Sequence, residues 1–193
     1  MKKARKGEAW VIVGYELFGE DGMEGLQVER LARVLGLNKS GFYHYFKTMD
    51  NFLHSLMARH HQNVDEMVLG MASIKKYDPD YIHFLVKNRL TVLFHMQLLR
   101  DRHIKLFWDT YNQVNHKINH GVMELWAAEI GLPKDVAEHF YNIVREIFYS
   151  KVTSKNLNFD FVHQVLWDAK LLIKEIQHNT PETTNVVRSA DLN

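Results

Sequence analysis

The sequence predicts an all-α protein, and three features of the chain indicate that fold class. No segment longer than a few residues alternates apolar and polar side chains in the manner of a β-strand. Apolar residues recur instead at spacings of three and four, which is the period of an α-helix. Only three prolines occur, and seven of the ten glycines lie at or before Gly41, so few helix-ending residues follow. We therefore expect short helices in the N-terminal part and long helices joined by short loops after it.

Composition limits the class of protein before any motif is considered. The 193 residues, of which 46% are hydrophobic, suffice for a buried core and exclude a disordered chain. The absence of cysteine excludes disulfides, thiolate metal sites and a cysteine nucleophile. No apolar run reaches the ~20 residues needed to span a bilayer, and Glu8 and Glu16 interrupt the first apolar stretch. We expect neither a signal peptide nor a membrane partner, and a cytoplasmic location.

The first two helices are predicted from apolar spacing and from glycines. Helical spacing begins at Ala9 and ends at Gly22 and Gly25. A second helix follows over residues 26–35, and Gly36 stands just beyond it, where a helix C-terminus favours a left-handed residue. This glycine therefore marks the end of the second helix and the start of a tight turn.

The next two helices complete a small N-terminal unit. Asn38 can cap a short third helix that runs to Phe46, and a fourth helix begins between residues 48 and 50. The two short helices on either side of residues 36–38 have the spacing of a helix-turn-helix, whose second helix enters the DNA major groove. Phe42 and Phe46 are expected to pack inward. The residues left to face outward are Asn38, Lys39, Ser40, Tyr43 and His44.

This N-terminal segment resembles the DNA-binding domain of TetR-type (tetracycline-repressor-like) transcriptional regulators. The resemblance extends from about Ala9 to Leu56 and rests on a long pattern with the correct gaps. The pattern consists of Leu17-Phe18, Gly22, Val28, Leu31-Ala32, Gly36-Leu37, Lys39, Tyr43-His44-Tyr45-Phe46, Asp50 and Leu53. It implies a dimer with an N-terminal DNA-binding domain of three to four helices and a larger C-terminal helical domain that binds an effector and dimerises. After about residue 60 the likeness is in size and helical style only.

Three positions depart from the family pattern. Leu26 stands where family members usually carry the Thr or Ser that caps the second helix and contacts phosphate, although Gln27 can partly serve. Ser40 stands where Gly is usual. Met49 replaces a Lys that usually opens the fourth helix, and Lys47 can take over its phosphate contact. These changes affect single phosphate contacts and not the mode of docking.

Local charge supports DNA binding although the chain carries a net charge of only +1. Residues 30–47 include four basic side chains and no acidic one, and four more cations in residues 2–6 form a basic arm before the first helix. Such an arm can follow the phosphate backbone or enter the minor groove. We predict DNA contacts from Lys3, Arg5, Gln27, Asn38, Lys39, Ser40, Tyr43, His44 and Lys47. The alternatives are a buried structural Tyr43, a simple exposed His44 and a merely solvated basic surface.

The chain is expected to divide into three parts. Residues 1–56 form the DNA-binding domain with the start of a linking helix, residues 57–178 form the helical effector-binding and dimerisation domain, and residues 179–193 form a polar, disordered tail. Polar residues 75–79 follow the linking helix. Further helices are predicted from about Pro79 to Leu99, from Arg102 into the 110s, from there to Ile130, from Pro133 to about Val152, and from Phe159 to Gln177.

The larger domain is rich in aromatic side chains at helical spacing. Most of them are expected to form the core, but a helical regulator domain usually also encloses an apolar cavity with a few polar groups. The residues predicted to line this cavity are Phe94, Phe107, Trp108, Tyr111, Trp126 and Tyr149. The corresponding hypothesis is a small, mostly apolar or aromatic effector.

The last two helices each carry an apolar stripe that is wider than one neighbour covers. The predicted dimer interface comprises Phe140, Val144, Ile147, Phe148, Val165, Leu166, Ala169, Leu172 and Ile173. A four-helix bundle across a two-fold axis would cover both stripes and place two recognition helices about one DNA turn apart, on a palindrome. Burial of the stripes within one subunit is the alternative.

Metal binding and catalysis have little support in the sequence. His116, His120 and Glu124 recur at i, i+4 and i+8, so they share a helix face and are candidate ligands of a divalent ion. A solvated polar face is the alternative, and we expect neither a metal nor a cofactor. No Gly-x-Ser-x-Gly, His-Glu-x-x-His or phosphate-loop pattern occurs, so the protein is not expected to be an enzyme.

The function that these patterns predict is transcriptional regulation, as a repressor. A homodimer would bind a palindromic, double-stranded DNA operator and be released by a small, mostly apolar effector. Two alternatives stay open at this point. One is a regulator that acts through a protein partner without a small-molecule response, and the other is a helical metal- or small-molecule-binding protein that merely retains the helix-turn-helix.

Overall fold

The computed structural model describes residues 2–179 and the side chains of residues 7–177 within them. These described residues form nine α-helices and no strand, which confirms the all-α prediction. The helices are α1 (Lys2–Asp21), α2 (Val28–Leu35), α3 (Lys39–Phe46), α4 (Met49–Met71), α5 (Ile82–Lys87), α6 (Arg89–Arg100), α7 (Lys105–Ile130), α8 (Lys134–Lys151) and α9 (Phe159–Asn179). A 3-10 turn, Gly22–Leu26, joins α1 to α2, and an irregular turn, Tyr77–Tyr81, precedes α5. None of the described helices has the length and apolar content to cross a membrane.

The predicted bounds were wrong in three places. The helix expected from Pro79 to Leu99 is interrupted at Asn88, whose side-chain amide donates to the Phe84 carbonyl at 2.8 Å and so competes with the helical ladder. The break expected in the 110s is absent, and α7 is one continuous helix over residues 105–130. No proline or other helix-ending turn interrupts it there. The cations of residues 2–6 belong to α1 and not to an arm that precedes it. Residues 180–193 of the predicted tail lie outside the described residues.

Two hydrophobic clusters hold the helices together. The first combines α1–α4 with Phe94 of α6 and Phe107 and Tyr111 of α7. Within it the ring of Tyr15 in α1 stacks on Phe94, with ring centroids 4.2 Å apart. The second cluster lies between the C-terminal half of α4 and helices α5–α9. Helix α4 therefore contributes to both clusters and passes without a break through the predicted domain boundary at residues 56 and 57, which itself stays a prediction.

Close approach of α4 and α7 depends on a glycine. A Cβ at Gly121 of α7 would come to 3.0 Å from the Met71 sulfur and to 3.7 Å from Val68 of α4. The missing side chain lets the two long helices pack against each other at this point. This contact fixes the end of α4 against the helix that contributes several walls of the cavity described below.

Candidate nucleic-acid interface and ligand cavity

The turn between α2 and α3 sets the orientation of α3. Gly36 ends α2 in the left-handed conformation, with φ 64° and ψ 30°, and its N–H donates to the Arg33 carbonyl at 3.2 Å. Asn38 then caps α3, since its Oδ1 accepts from the Gly41 N–H at 3.1 Å and from the Ser40 hydroxyl at 2.6 Å. The left-handed glycine and the asparagine cap predicted from the sequence are both present.

One face of α3 is buried and the opposite face is exposed. The ring of Phe42 is fully buried, with its centroid 5.6 Å from Trp10 of α1 and 5.0 Å from Phe52 of α4. On the opposite face Tyr43 is 52% exposed, so the buried alternative for this residue does not hold. The other exposed members of the predicted DNA-binding set are Gln27, Asn38, Lys39, Ser40, His44 and Lys47. The side chains of the remaining two members, Lys3 and Arg5, lie outside the described residues.

Two cations of the basic stretch are paired with carboxylates that the local charge count did not include. Lys39 donates to Glu29 of α2 at 2.8 Å, which raises the pKa of the ammonium group and lowers that of the carboxyl group. Arg30 is paired with Asp21 at the end of α1. Both acidic partners lie upstream of residue 30, outside the counted segment. The ion pair between Lys39 and Glu29 is weak because both side chains are exposed. Lys39 can therefore leave this carboxylate and contact a DNA phosphate instead.

Two of the three departures from the family pattern, Leu26 and Met49, have structural counterparts. Gln27 occupies the N-cap position of α2, but its side chain makes no capping hydrogen bond, while Leu26 is buried in the first cluster. Thr48 caps α4 by accepting from the Asn51 N–H at 3.2 Å. Met49 is half-buried and packs against the first cluster, so it adds apolar contact where a lysine would reach toward phosphate.

A small, mostly apolar cavity of about 60 Å³ lies among α4–α9 and is partly open to solvent. Of the six aromatic residues predicted to line it, Trp126 and Tyr149 do so. Tyr111 lies beside it and stacks on the cavity-lining His95, with ring centroids 4.6 Å apart. The structure does not bring the other three to the cavity: Phe94 and Phe107 are fully buried in the first cluster, and Trp108 is 41% exposed.

Sequence reasoning missed a buried polar chain that leads from α1 to His95 in the cavity wall. Tyr15 contacts His60 Nδ1 through its hydroxyl at 2.8 Å, and His60 Nε2 lies 3.4 Å from His95 Nδ1. Burial lowers the pKa of His60 well below its usual value and that of His95 to about 3, with the positive charge of Arg145 adding to the second shift. Both rings are therefore neutral. The sequence did contain one indication that His60 is buried. It lies four residues after Leu56, on the same inward face of α4.

The predicted dimer residues lie on two sides of the α8–α9 pair. Val144, Phe148, Val165 and Leu166 line the cavity, whereas Phe140, Ile147, Ala169, Leu172 and Ile173 border a second apolar groove on these helices, to which Val144 and Val165 also contribute. In that groove Ile147 is 39% exposed and Leu172 is 50% exposed. Part of the stripe is thus buried within the subunit, as the alternative proposed, and part faces outward.

The candidate metal ligands do not converge. His116 and His120 are exposed on α7, and Glu124 is engaged by Lys134 at 2.5 Å, which lowers the pKa of its carboxyl group. Over the residues that the structure describes, no three or more His, Cys, Asp or Glu side chains form a group that would hold a metal ion.

Comparison with known proteins identifies relatives of the N-terminal segment and of the fold. Residues 13–56 match the family described as bacterial regulatory proteins, tetR family. The fold is similar to that of a transcriptional regulator (TerR/AcrR family) from Aquifex aeolicus VF5, with 17% identity, a TM-score of 0.54 and coverage of 88% of this chain and 98% of that chain. It is also similar to the multidrug binding protein EbrR complexed with imidazole, with 12% identity, a TM-score of 0.52 and coverage of 89% and 94%. No curated protein matches the chain.

Proposed function

We propose that this chain, whose residues 13–56 match the tetR family of bacterial regulatory proteins, represses transcription as a homodimer that binds a palindromic operator through its helix-turn-helix. A small, mostly apolar effector in the cavity would release it from DNA. The observation that carries the proposal is α3, whose buried face is fixed to α1 and α4 while its opposite face presents Lys39, Tyr43 and His44. The protein would act without catalysis, in the cytoplasm, where DNA is accessible.

The outward groove of α8 and α9 supports the dimer. Ile143 is 55% exposed on α8, and Leu172 is half-exposed across the groove on α9. The groove on these two adjoining helices is lined mainly by apolar side chains. Such a surface favours a self-complementary contact with a second copy around a two-fold axis. The same axis would relate two copies of α3, as a palindromic site requires.

Two connections between the cavity and α3 support an effector response. Helix α4 places Phe52 and Leu56 in the first cluster and Met67 in the cavity wall. Helix α6 places His95 in the cavity wall and Phe94 against Tyr15 of α1. A ligand that prefers a different arrangement of α4 and α6 would therefore shift the population toward a dimer whose α3 spacing no longer fits the groove.

DNA binding is tested by selecting duplexes from a random 30-base-pair library and measuring affinity for the selected duplex by fluorescence anisotropy at several salt concentrations. Lys39→Ala is expected to weaken binding to all duplexes and to lower the slope of log K against log salt by about 1, because one phosphate contact is lost. Tyr43→Ala is expected to reduce discrimination among duplexes.

The matched control is Lys105→Ala at the start of α7, whose side chain is 87% exposed and lies in the other part of the chain. It removes the same charge and is expected to bind DNA as the wild type does. Wild-type affinity in both the Lys39 and the Tyr43 variants would overturn the proposed use of α3.

A further inference from the structure

Four buried polar atoms beside the cavity have no hydrogen-bond partner among the described residues. They are His95 Nε2, Tyr111 Oη, Asn115 Oδ1 and Arg145 Nε. The groups are neighbours: the His95 and Tyr111 rings stack, Asn115 lies within reach of His95, and Arg145 lies within reach of Tyr111, but neither pair has the geometry of a formed hydrogen bond at these atoms. One buried polar group without a partner costs about 1–3 kcal/mol, so four in one place indicate a missing binding partner.

We assign the donors and acceptors of these histidines from the hydrogen-bond chain that begins at Tyr15. Burial raises the pKa of Tyr15 to about 12, so its hydroxyl keeps the proton, and its oxygen accepts from the side chains of Asn63 and Thr91. The proton of Tyr15 is therefore directed to His60 Nδ1, and His60 Nε2–H is directed to His95 Nδ1. In this arrangement His95 Nε2 carries hydrogen and ends the chain as an unused donor.

Donors therefore outnumber acceptors at this end of the cavity. His95, Tyr111 and Arg145 each offer a hydrogen, while Asn115 Oδ1 and the hydroxyl oxygen of Tyr111 are the two acceptors among the four atoms. Small rotations can let each of these oxygens accept from one donor. One donor would still lack an acceptor, and the group that satisfies it must bring its own oxygen atom.

Arg145 adds a positive charge whose one close carboxylate, among the described residues, is on the exposed Glu146. Its side chain is 13% exposed, its guanidinium donates to Asn119 Oδ1 at 3.2 Å, and Glu146 lies 3.5 Å away with its own side chain 53% exposed. No aspartate or glutamate is among the described residues that line the cavity. A cation at the wall of an apolar cavity is stabilised by an anion that comes with the ligand.

We propose that the cavity binds an organic acid, with an aromatic or aliphatic body against the apolar walls and a carboxylate that accepts hydrogen bonds from Arg145, Tyr111 and His95. A cationic ligand of the same shape would be repelled by Arg145, and a neutral one would leave its charge with the exposed Glu146 as its close carboxylate. The inference rests on the proposed function in one respect, namely that the molecule in the cavity is the effector.

The test uses two series of probes that differ only in the head group, measured with the full chain by isothermal titration calorimetry. One series is 2-naphthoate, 2-naphthalenemethanol and 2-naphthylmethylammonium, and the other is octanoate, 1-octanol and octylammonium. In at least one series the acid is expected to bind the wild type about tenfold or more tightly than the alcohol, and the ammonium compound is expected to bind most weakly.

Variants assign the preference to the named groups. Arg145→Met is expected to bring the affinity ratio of acid to alcohol close to one, while continued binding of the alcohol reports that the cavity still forms. Tyr111→Phe, which keeps the stacked ring, is expected to weaken binding of the acid alone. The matched control is Arg102→Met, since Arg102 acts on the pKa of Tyr111 but does not line the cavity, and this variant is expected to keep the preference.

The outcomes separate this inference from the proposed function. Acids that bind no more tightly than their alcohols in both series, acids that do not bind, or a preference that persists in Arg145→Met would each overturn it, even if the protein binds its selected duplex. Acid binding by a wild-type protein that binds no duplex would support the ligand site and overturn the proposed function.

Discussion

Acidification from pH 7.5 to pH 5.5 is expected to destabilise the fold through His60 and His95. Both rings are buried, and burial lowers their pKa values, that of His95 to about 3, with Arg145 and the neighbouring histidine charges acting in the same direction. The unfolded chain binds a proton at each ring near pH 6.5 and the folded chain does not. The contribution of these two rings to the free energy of unfolding is therefore present above pH 6.5 and is lost progressively as the pH falls below it.

The size of the effect follows from two protons per subunit. Each ring contributes about 1.4 kcal/mol per pH unit once the pH is well below 6.5, and integration from pH 7.5 to 5.5 gives about 3 kcal/mol for both. The half-exposed His61, whose pKa is lowered by partial burial, adds in the same direction. The carboxyl groups of Glu29 and Glu124 have lowered pKa values, so they begin to matter only below about pH 4.5.

The free energy of unfolding of the full chain is measured by urea denaturation at pH 7.5, 6.5 and 5.5, and the three values are compared. His95→Phe keeps a ring against Tyr111 and is expected to remove about half of the pH dependence. Stability that is constant or rises toward pH 5.5 would contradict the conclusion that both buried rings are neutral.

Three further perturbations have defined outcomes. Tyr15→Phe leaves His60 Nδ1 without a donor, so urea denaturation should show a loss of about 1–3 kcal/mol, whereas Tyr43→Phe on the exposed face should cost nothing measurable. Asn38→Ala removes the N-cap of α3 and should cost about 1 kcal/mol in stability and weaken duplex binding by anisotropy. Leu172→Glu in the α8–α9 groove should produce a monomer by light scattering at micromolar concentration, whereas Leu69→Glu, on the 77% exposed Leu69 of α4, should leave the dimer intact.

Each of these expectations has a contradicting result. A Tyr15→Phe protein as stable as the wild type would mean that the His60 ring finds its donor elsewhere. Unchanged duplex affinity in Asn38→Ala would separate the N-cap from the placement of α3. A Leu172→Glu protein of the same mass as the wild type would remove the α8–α9 groove from the proposed dimer interface.

The helix-turn-helix was predictable because its determinants are close together in the chain. Gly36 ends α2 and Asn38 caps α3 through atoms no more than a few residues away, so the sequence contains each interaction almost whole. The same holds for Pro133, which was expected to open α8 and lies at its N-cap, one residue before the helix begins. Local backbone chemistry of this kind needs no knowledge of tertiary packing.

The cavity was only partly predictable because helical spacing shows that a side chain is buried, not which cluster receives it. Phe94 and His95 are consecutive in α6, yet Phe94 packs against α1 while His95 lines the cavity. Likewise Phe107 joins the first cluster, whereas Trp126 of the same helix joins the second. Assigning each one requires the relative positions of α1, α6 and α7, which depend on contacts distant in sequence.

Those distant contacts also revise the expected route from cavity to DNA. The sequence predicts α4 as the helix that links the two parts of the chain, but α6 is fixed to α1 as well, because Gln97 donates to the Gly19 carbonyl at 3.3 Å and Phe94 stacks on Tyr15. Close-packed contacts of this kind transmit a displacement and do not absorb it. A ligand bound at His95 therefore acts one residue from the α1 contact, and α1 in turn holds Phe42 of α3 through Trp10. Under the proposed function, we therefore expect that an effector that moves α6 alone, without bending α4, also displaces α3 through α1.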